Sequence, residues 1–278
     1  MPTILTNSES ANLFSWTWAP SVLIGFGVWT IAYVFLTRTK HRLDSEKSRP
    51  TPWQQISFHT ATLVAIIALI SPLDHLGDDY LFSAHMVQHL LLMFISAPLW
   101  LIGTPGWLLE SLVPSWLHNF AYWLTRPLTA YIIFALSMTG WHVPLFYNLA
   151  LEHDWIHISE HLNYMVAAVI GWWPIAGPKV SYAPKPAPPL RMIYNFLLLL
   201  PFTALAAALT FSEMPFYPYY TSAPRILGLS VLADQQLGGL IMWVPTHMIF
   251  LLTISIVFFQ WFEELGNAGD SISAHTST

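Results

Sequence analysis

Residues 81–103 read LFSAHMVQHLLLMFISAPLWLIG, a run of 23 residues without Asp, Glu, Lys or Arg. About 20 mainly apolar residues in a helix cross the hydrocarbon layer of a bilayer, so this run predicts a transmembrane helix. Only 10 Lys and Arg and 15 Asp and Glu occur in the 278 residues, of which 55% are hydrophobic. Soluble domains carry roughly a quarter charged residues. The composition therefore excludes a soluble enzyme and a disordered chain, and it predicts an all-α, polytopic membrane protein.

Six further apolar segments have a similar length. The predicted transmembrane spans are residues 19–37, 55–71, 81–103, 127–148, 157–175, 190–212 and 236–260. No repeat or linker separates them, so we expect a single domain over residues 1–278, a bundle of seven transmembrane helices in the lipid bilayer. The first 18 residues contain no Lys or Arg, so we expect the first span to be retained rather than cleaved as a signal peptide.

The basic residues predict the orientation of this bundle. With seven spans, nine of the ten Lys and Arg residues fall on one side, and only Arg225 falls on the other. Cytoplasmic loops are enriched in Lys and Arg, so we expect the N-terminus outside and the C-terminus in the cytoplasm. Residues 104–126 are then cytoplasmic, and their apolar spacing predicts an interfacial amphipathic helix. Residues 213–235 are external and rich in Tyr and Pro, and they either cap the outer mouth of the bundle or pad the interface.

Two spans share one pattern of candidate metal ligands. The third and the fifth both read His-x-x-x-His-x-x-x-Met, and residues four apart lie on one face of a helix. The fourth span reads Met-x-x-x-His in the opposite direction, so all three spans place Met deeper than His. The candidate ligands are His85, His89, His142, His157, His161, Met93 and Met165, with Met138, Asp234 and His247 as secondary candidates.

Imidazole and thioether groups, in a chain without cysteine, favour copper. The thioether favours Cu(I), whereas hard cations would need more oxygen ligands and zinc gains nothing from Met. The alternative is polar packing, in which His hydrogen-bonds between helices and Met fills space. Acidic residues on the outer side form a negative rim that would attract cations. Asp234 has a separate interpretation, because it precedes the seventh span and is predicted to cap that helix.

Two stretches resemble motifs of a known family. Residues 85–92 read HMVQHLLL and residues 234–245 read DQQLGGLIMWVP, and the shorter SPLD at 71–74 and WHVP at 141–144 occur in the expected order. These resemble the multi-span CtaG family of bacterial cytochrome c oxidase assembly factors. The resemblance implies a protein of the bacterial inner membrane that helps to mature a haem–copper oxidase by handling copper. It also implies cytochrome c oxidase subunits or a periplasmic copper chaperone as partners.

Three functions remain open at this point. The chain is a copper-binding assembly factor, a membrane electron carrier in which histidines of the third and fifth spans ligate haem b, or a copper transporter. No nucleophile–base set or phosphate loop stands out, which argues against an enzyme. Nothing predicts a nucleic-acid partner. Paired glycines at 25 and 27 and at 238 and 239 permit close helix approach and leave a homodimer open.

Overall fold

The structure is a computed structural model, and it describes residues 15–43, 49–183 and 185–276. Within these ranges every regular element is a helix, apart from one isolated bridge between Val180 and Ala183. The all-α prediction is confirmed.

We number the helices along the described part of the chain. They are α1 Pro20–Leu43, α2 Pro52–Ile70, α3 Pro72–Asp79, α4 Phe82–Gly103, α5 Gly106–Leu112, α6 His118–Thr125, α7 Pro127–Trp141, α8 Pro144–Glu152, α9 Asp154–Ala176, α10 Pro188–Thr210, α11 Pro218–Ser222 and α12 Val231–Thr276. The middle of α4, Leu91–Ser96, is a π-helical turn between two α-helical parts.

Five of these helices, α1, α2, α4, α10 and α12, are long and apolar enough to cross a membrane, and the bent pair of α7 and α8 would make a sixth. Helix α9 has 23 residues but includes Asp154 and Glu160. The described helices therefore indicate a multi-pass membrane protein, while the count of seven spans stays a prediction.

The predicted helix over residues 127–148 is broken rather than continuous. Helix α7 ends at Trp141, and the axis turns by 70° before α8 begins at Pro144. Proline lacks a backbone N–H and is favoured at the first position of a helix, so Pro144 begins a new helix instead of extending α7. The bend leaves the buried side chain of His142 at the break.

Residues 104–126 also differ from the prediction of one amphipathic helix. They form two short helices, α5 and α6, with Pro114 and a 3₁₀ turn between them. Proline cannot donate the hydrogen bond that a continuous helix needs at this position. The side chains of Trp116, Phe120 and Trp123 are nevertheless exposed, which fits contact with a membrane interface.

The packing of the bundle places α4 at its centre. Helix α10 packs along α12 and α9 packs along α7, while the first part of α4 contacts α12 and its last part contacts α2. Large apolar side chains face outward, such as Ile24, Ile31 and Phe35 on α1. An exposed apolar surface of this kind needs a lipid environment.

Gly103 at the end of α4 lets this helix touch α2. A Cβ atom at Gly103 would lie 2.6 Å from the backbone nitrogen of Phe58. The Tyr33 hydroxyl donates to the Gly103 carbonyl at 3.0 Å, and its ring stacks on Phe58 at 3.7 Å. The three helices α1, α2 and α4 therefore meet at this glycine.

Gly103→Ala is expected to lower the free energy of unfolding by about 1–3 kcal/mol, because a methyl group forced against a backbone must push the helices apart. Thermal unfolding of the purified protein in detergent measures this. Gly25→Ala is the matched control, since no atom lies within 4 Å of a Cβ atom at Gly25. Alanine also favours a helix over glycine, so the control is expected to be neutral or stabilising. Equal losses in both variants would contradict the close contact.

Candidate metal centre

Histidines from three helices meet at one end of the bundle. His85 and His89 lie in the first turns of α4, and His157 and His161 lie in the first turns of α9. Helix α7 ends at the same place with His142. His85, His89, His142 and His161 are buried, whereas His157 is partly buried. The sequence spacing predicted that the two histidines of each helix share one face. In the structure, the histidine face of α4 lies against the histidine face of α9.

His85, His89 and His161 form the group that we call the inner trio. Their ligand nitrogens all lie within 4.8 Å of one another. His85 Nε2 is 2.8 Å from His89 Nε2, a hydrogen bond, while His161 Nε2 is buried without a partner. Buried polar atoms in proteins are almost always hydrogen-bonded, so an unpaired imidazole nitrogen in such a group points to a ligand.

Asp78, His85 and His157 form a second group, which we call the outer trio. Their ligand atoms also lie within 4.8 Å of one another. The outer trio shares His85 with the inner trio. His85 Nδ1 lies 3.6 Å from Asp78 Oδ1, whereas His85 Nε2 lies 2.8 Å from His89 Nε2. Sequence reasoning placed Asp78 only in the acidic rim and did not name it as a candidate ligand.

Glu160 is a second carboxylate that sequence reasoning missed. Its side chain is 1% exposed, both carboxylate oxygens lack hydrogen-bond partners, and Oε1 lies 4.0 Å from His89 Nε2. A buried carboxylate without a partner is costly, and a bound cation would offset that cost. The signal was present in the sequence, because Glu160 directly precedes His161 and an ionisable residue in a span marks a functional position by default.

Asp234 holds the first turn of α4 in place. No side chain next to Phe82 caps this helix. Instead, Asp234 of α12 accepts hydrogen bonds from the backbone N–H groups of Phe82, at 2.8 Å, and Ser83, at 3.1 Å, and from the Ser83 hydroxyl. A carboxylate at this position satisfies free backbone donors and complements the helix dipole. The turn that leads into His85 is therefore anchored to α12.

The prediction that Asp234 caps its own helix is wrong. Helix α12 begins at Val231, earlier than the predicted span of 236–260, so Asp234 lies inside the helix. Ser230 takes the capping position, because its hydroxyl accepts from the backbone N–H of Ala233 at 3.1 Å. A cap between two helices distant in sequence leaves no local spacing pattern to detect.

A similar tether positions α3, which carries Asp78. The Gln88 side chain on α4 donates to the Asp74 carboxylate at 2.7 Å and to the Ala68 carbonyl at 3.1 Å. Ser71 accepts from the backbone N–H of Leu73 and caps α3. Burial raises the pKa of Asp74 to about 6, and it raises the pKa of Asp78 well above its usual range. The polar residues of the SPLD and HMVQH motifs therefore connect α3 and α4, which carry two of the three residues of the outer trio.

Residues 213–235 cover the histidines, which supports the cap rather than interfacial padding. Tyr217 and Tyr220 are buried. The Tyr220 hydroxyl donates to the Gly77 carbonyl at 2.7 Å, and the Tyr217 hydroxyl donates to the His142 carbonyl at 3.1 Å. Tyr217 also stacks on Phe82 with a centroid distance of 4.9 Å. The aromatic segment thus contacts α3, the start of α4 and the end of α7, the helices around the candidate metal centre.

Thioether groups surround a small cavity next to His89. The cavity has a volume of about 10 Å³, close to that of one water-sized guest. It is lined by Met86, His89, Leu90, Met93, Phe94, Met138, His142, Phe202 and Met242. The structure places the predicted ligands Met93 and Met138 here and adds Met86 and Met242, which the spacing pattern missed. The π-helical turn from Leu91 changes the angle at which Met93 follows His89.

Other candidate residues lie apart from the two trios or are already paired. Met165 packs against the cluster around Phe58 rather than at the thioether cavity. His142 lies beside His89, but Nδ1 is 2.7 Å from the Met138 carbonyl and 3.1 Å from the Tyr164 hydroxyl. His247 is 3.0 Å from the Thr203 hydroxyl through Nε2. The carboxylate of Asp234 is used by its three hydrogen bonds.

Comparisons with known proteins show the family of the chain. The model of the family described as cytochrome c oxidase caa3 assembly factor (Caa3_CtaG) matches residues 31–264. Uncharacterized proteins of Mycobacterium bovis and Mycobacterium leprae are similar over 200 residues, with 26% and 28% identity. The match covers 65% of this chain and 30% of each relative, so the chain spans about a third of their length. No solved structure matches.

Proposed function

This chain belongs to the cytochrome c oxidase caa3 assembly factor family, and from that premise we propose that it binds copper for the oxidase at the histidine group described above. The observation that carries the proposal is the set of unpaired buried groups. His161 Nε2 and both oxygens of Glu160 are buried without hydrogen-bond partners, and Glu160 Oε1 lies 4.0 Å from His89 Nε2. A cation bound there would satisfy the nitrogen lone pairs and neutralise the carboxylate together.

The neighbouring thioethers support copper over other cations. Cu(I) favours soft thioether ligands and also accepts imidazole. Met86 Sδ lies 3.5 Å from His142 Nε2, and Met93 and Met138 line the same small cavity beside His89. An ion held by the inner trio would therefore have a soft environment on its deeper side. Met165 enters this proposal only as a more distant candidate.

The packing of the histidine rings argues against haem b. The ring centroids of His85 and His161 are 5.8 Å apart, and those of His89 and His161 are 5.3 Å apart. A porphyrin needs a cavity on the order of several hundred cubic ångströms between its axial ligands. The cavity beside His89 holds about 10 Å³. The residues present fit a single ion and do not fit a haem.

The core below the cavity argues against transport of copper through the bundle. Phe94 packs against Phe202 and Phe250, with centroid distances of 5.0 Å and 5.6 Å. Trp172 stacks on Phe250 at 5.4 Å. All four side chains are buried, so the layer directly below the cavity is formed by packed aromatic rings. The arrangement suits a protein that holds and hands over copper at one side of the membrane.

The proposed topology places this side in the periplasm. Seven spans in the bacterial inner membrane, with α9 and the α7–α8 pair included, put the first turns of α4 and α9 at the outer surface. The excess of Lys and Arg on the opposite side supports this orientation. Copper would then come from a periplasmic copper chaperone and pass to cytochrome c oxidase subunits, without an enzymatic step by this chain.

Copper loading of the purified full chain tests the proposal. The wild-type chain, loaded with Cu(I) under reducing conditions, is expected to retain copper after desalting. The variant with His85, His89, His157 and His161 all replaced by Ala is expected to fall to background, because both trios lose their imidazole ligands. Metal analysis measures the copper, and an absorbance spectrum reports haem by its Soret band.

His153→Ala is the matched control, since the His153 side chain is exposed and makes no capping hydrogen bond. This control is expected to load as the wild type does. Unchanged loading in the fourfold variant would exclude the histidine group as the copper site. A Soret band in place of copper would favour the haem alternative.

A further inference from the structure

The outer trio has features of a cation site in its own right. We propose that Asp78, His85 and His157 form an outer site for a divalent cation of the Cu²⁺ or Zn²⁺ class, which shares His85 with the inner trio. A neutral imidazole has only one lone-pair nitrogen, so while His85 keeps its proton a single ion occupies one site or the other. This inference rests on the proposed function, since the outer trio is where a divalent ion from solution, which keeps its charge, would first meet the proposed copper site.

The spacing of the three ligand atoms supports this site. Asp78 Oδ1 lies 3.6 Å from His85 Nδ1 and 3.5 Å from His157 Nε2. These distances exceed those of an N–H···O hydrogen bond, and all three atoms lack a hydrogen-bond partner. A tetrahedral ion with bonds of about 2.0–2.2 Å holds neighbouring ligand atoms about 3.3–3.6 Å apart. Asp78 Oδ1 thus has the separation of a neighbouring ligand from both imidazole nitrogens, which lie within 4.8 Å of each other.

A second pair on the same helix shows the contrast. His75 Nδ1 lies 2.7 Å from Asp79 Oδ2, which is the distance of an ordinary hydrogen-bonded pair. The Asp78 carboxylate lies near two imidazoles but forms a hydrogen bond with neither of them. A space between three unsatisfied atoms is what a bound cation would fill.

The exposed fractions of the side chains give the order in which an ion meets them. Asp78 is 30% exposed and His157 is 14% exposed, whereas His85 is fully buried. An ion from solution therefore reaches the outer trio before the inner trio. One carboxylate oxygen and two imidazole nitrogens suit divalent ions of intermediate softness such as Cu²⁺ and Zn²⁺.

His85 links the two sites through its two ring nitrogens. A neutral imidazole has one lone-pair nitrogen and one N–H. An ion on Nδ1 leaves the hydrogen on Nε2, which then donates to His89 Nε2 at 2.8 Å. An ion on Nε2, in the inner trio, leaves the hydrogen on Nδ1, which then faces Asp78. As the ion moves inward, one proton leaves Nε2 and one binds Nδ1, so the ring stays neutral.

Titration of the full chain with Cu²⁺ tests the shared site, with equilibrium dialysis to count ions and electron paramagnetic resonance to report their ligands. The wild type is expected to bind one Cu²⁺ at the two trios. The variant with His89→Ala and His161→Ala, which lacks the inner trio, is still expected to bind one Cu²⁺, with affinity about 10–100-fold weaker. Adding Asp78→Asn to that variant is expected to abolish binding.

Asp79→Asn is the matched control, because Asp79 is the neighbouring carboxylate and lies outside both trios. It is expected to leave binding unchanged in the inner-trio variant. Gel filtration and helix content verify folding, and His157→Gln replaces Asp78→Asn if that variant does not fold. Two ions in the wild type, no ion in the inner-trio variant, or no effect of Asp78→Asn would overturn the shared site while the proposed function stands. A wild type that binds neither Cu²⁺ in this titration nor Cu(I) in the loading experiment would overturn both.

Discussion

Cells whose only copy of this protein has His85, His89, His157 and His161 replaced by Ala are expected to lose cytochrome c oxidase activity, to the level of cells without the gene. The physical reason is that these imidazoles of α4 and α9 are the proposed ligands on which both trios depend. Oxidase activity of isolated membranes measures the effect. His153→Ala, on the exposed surface, is expected to retain full activity.

Addition of copper to the growth medium separates two explanations of such a loss. If the protein supplies copper, a high external concentration is expected to restore part of the activity by mass action. If the protein acts only by holding oxidase subunits, copper is expected to restore nothing. Full activity in the fourfold variant without added copper would contradict a role for the histidine group in oxidase maturation.

Asp234→Ala is expected to cause the largest loss of stability among single substitutions at the metal centre, about 3–5 kcal/mol. Hydrogen bonds to a charged group contribute about 1.5–3 kcal/mol each, and this buried carboxylate accepts three of them from Phe82 and Ser83. The variant also leaves two backbone N–H groups at the start of α4 without a partner. Thermal unfolding in detergent measures stability, and copper titration measures the site.

Two further variants calibrate this prediction. Ser83→Ala removes only the hydroxyl bond and is expected to cost about 1 kcal/mol. Asp234→Asn keeps the shape of the side chain but loses the charge, so its effect is expected to lie between the other two. Because α4 carries His85 and His89, copper affinity is expected to fall together with stability in the Asp234 variants. An Asp234→Ala protein as stable as the wild type would show that the cap between α12 and α4 does not hold the site.

The sequence predicted those parts of the site that depend on one helix at a time. Spacing by four residues correctly placed His85 with His89 and His157 with His161, because a helix face repeats at that interval. The same rule placed Met93 on the side of His89, and both line the small cavity although a π-helical turn follows His89. Met165 instead packs against the cluster around Phe58.

The missed features all depend on contacts between helices. From the sequence, Asp78 and Glu160 could not be distinguished from other acidic residues on the outer side. The packing of α3 and α9 places them beside His85 and His89. Asp234 matched a local capping pattern, yet its hydrogen bonds go to another helix. Pro144 was one of several prolines in predicted spans, and nothing in its neighbourhood indicated a bend of 70°. Packing of distant segments decides each of these cases.

The aromatic layer formed by Phe94, Trp172, Phe202 and Phe250 has a consequence for the energy balance of the membrane. A bundle with several histidines and two buried carboxylates contains groups that pass protons in other membrane proteins. The two trios and Glu160 lie on one side of this layer, whose four packed rings are buried. We therefore expect a membrane that contains this protein to keep its proton gradient while the proposed site exchanges metal ions and protons at a single surface.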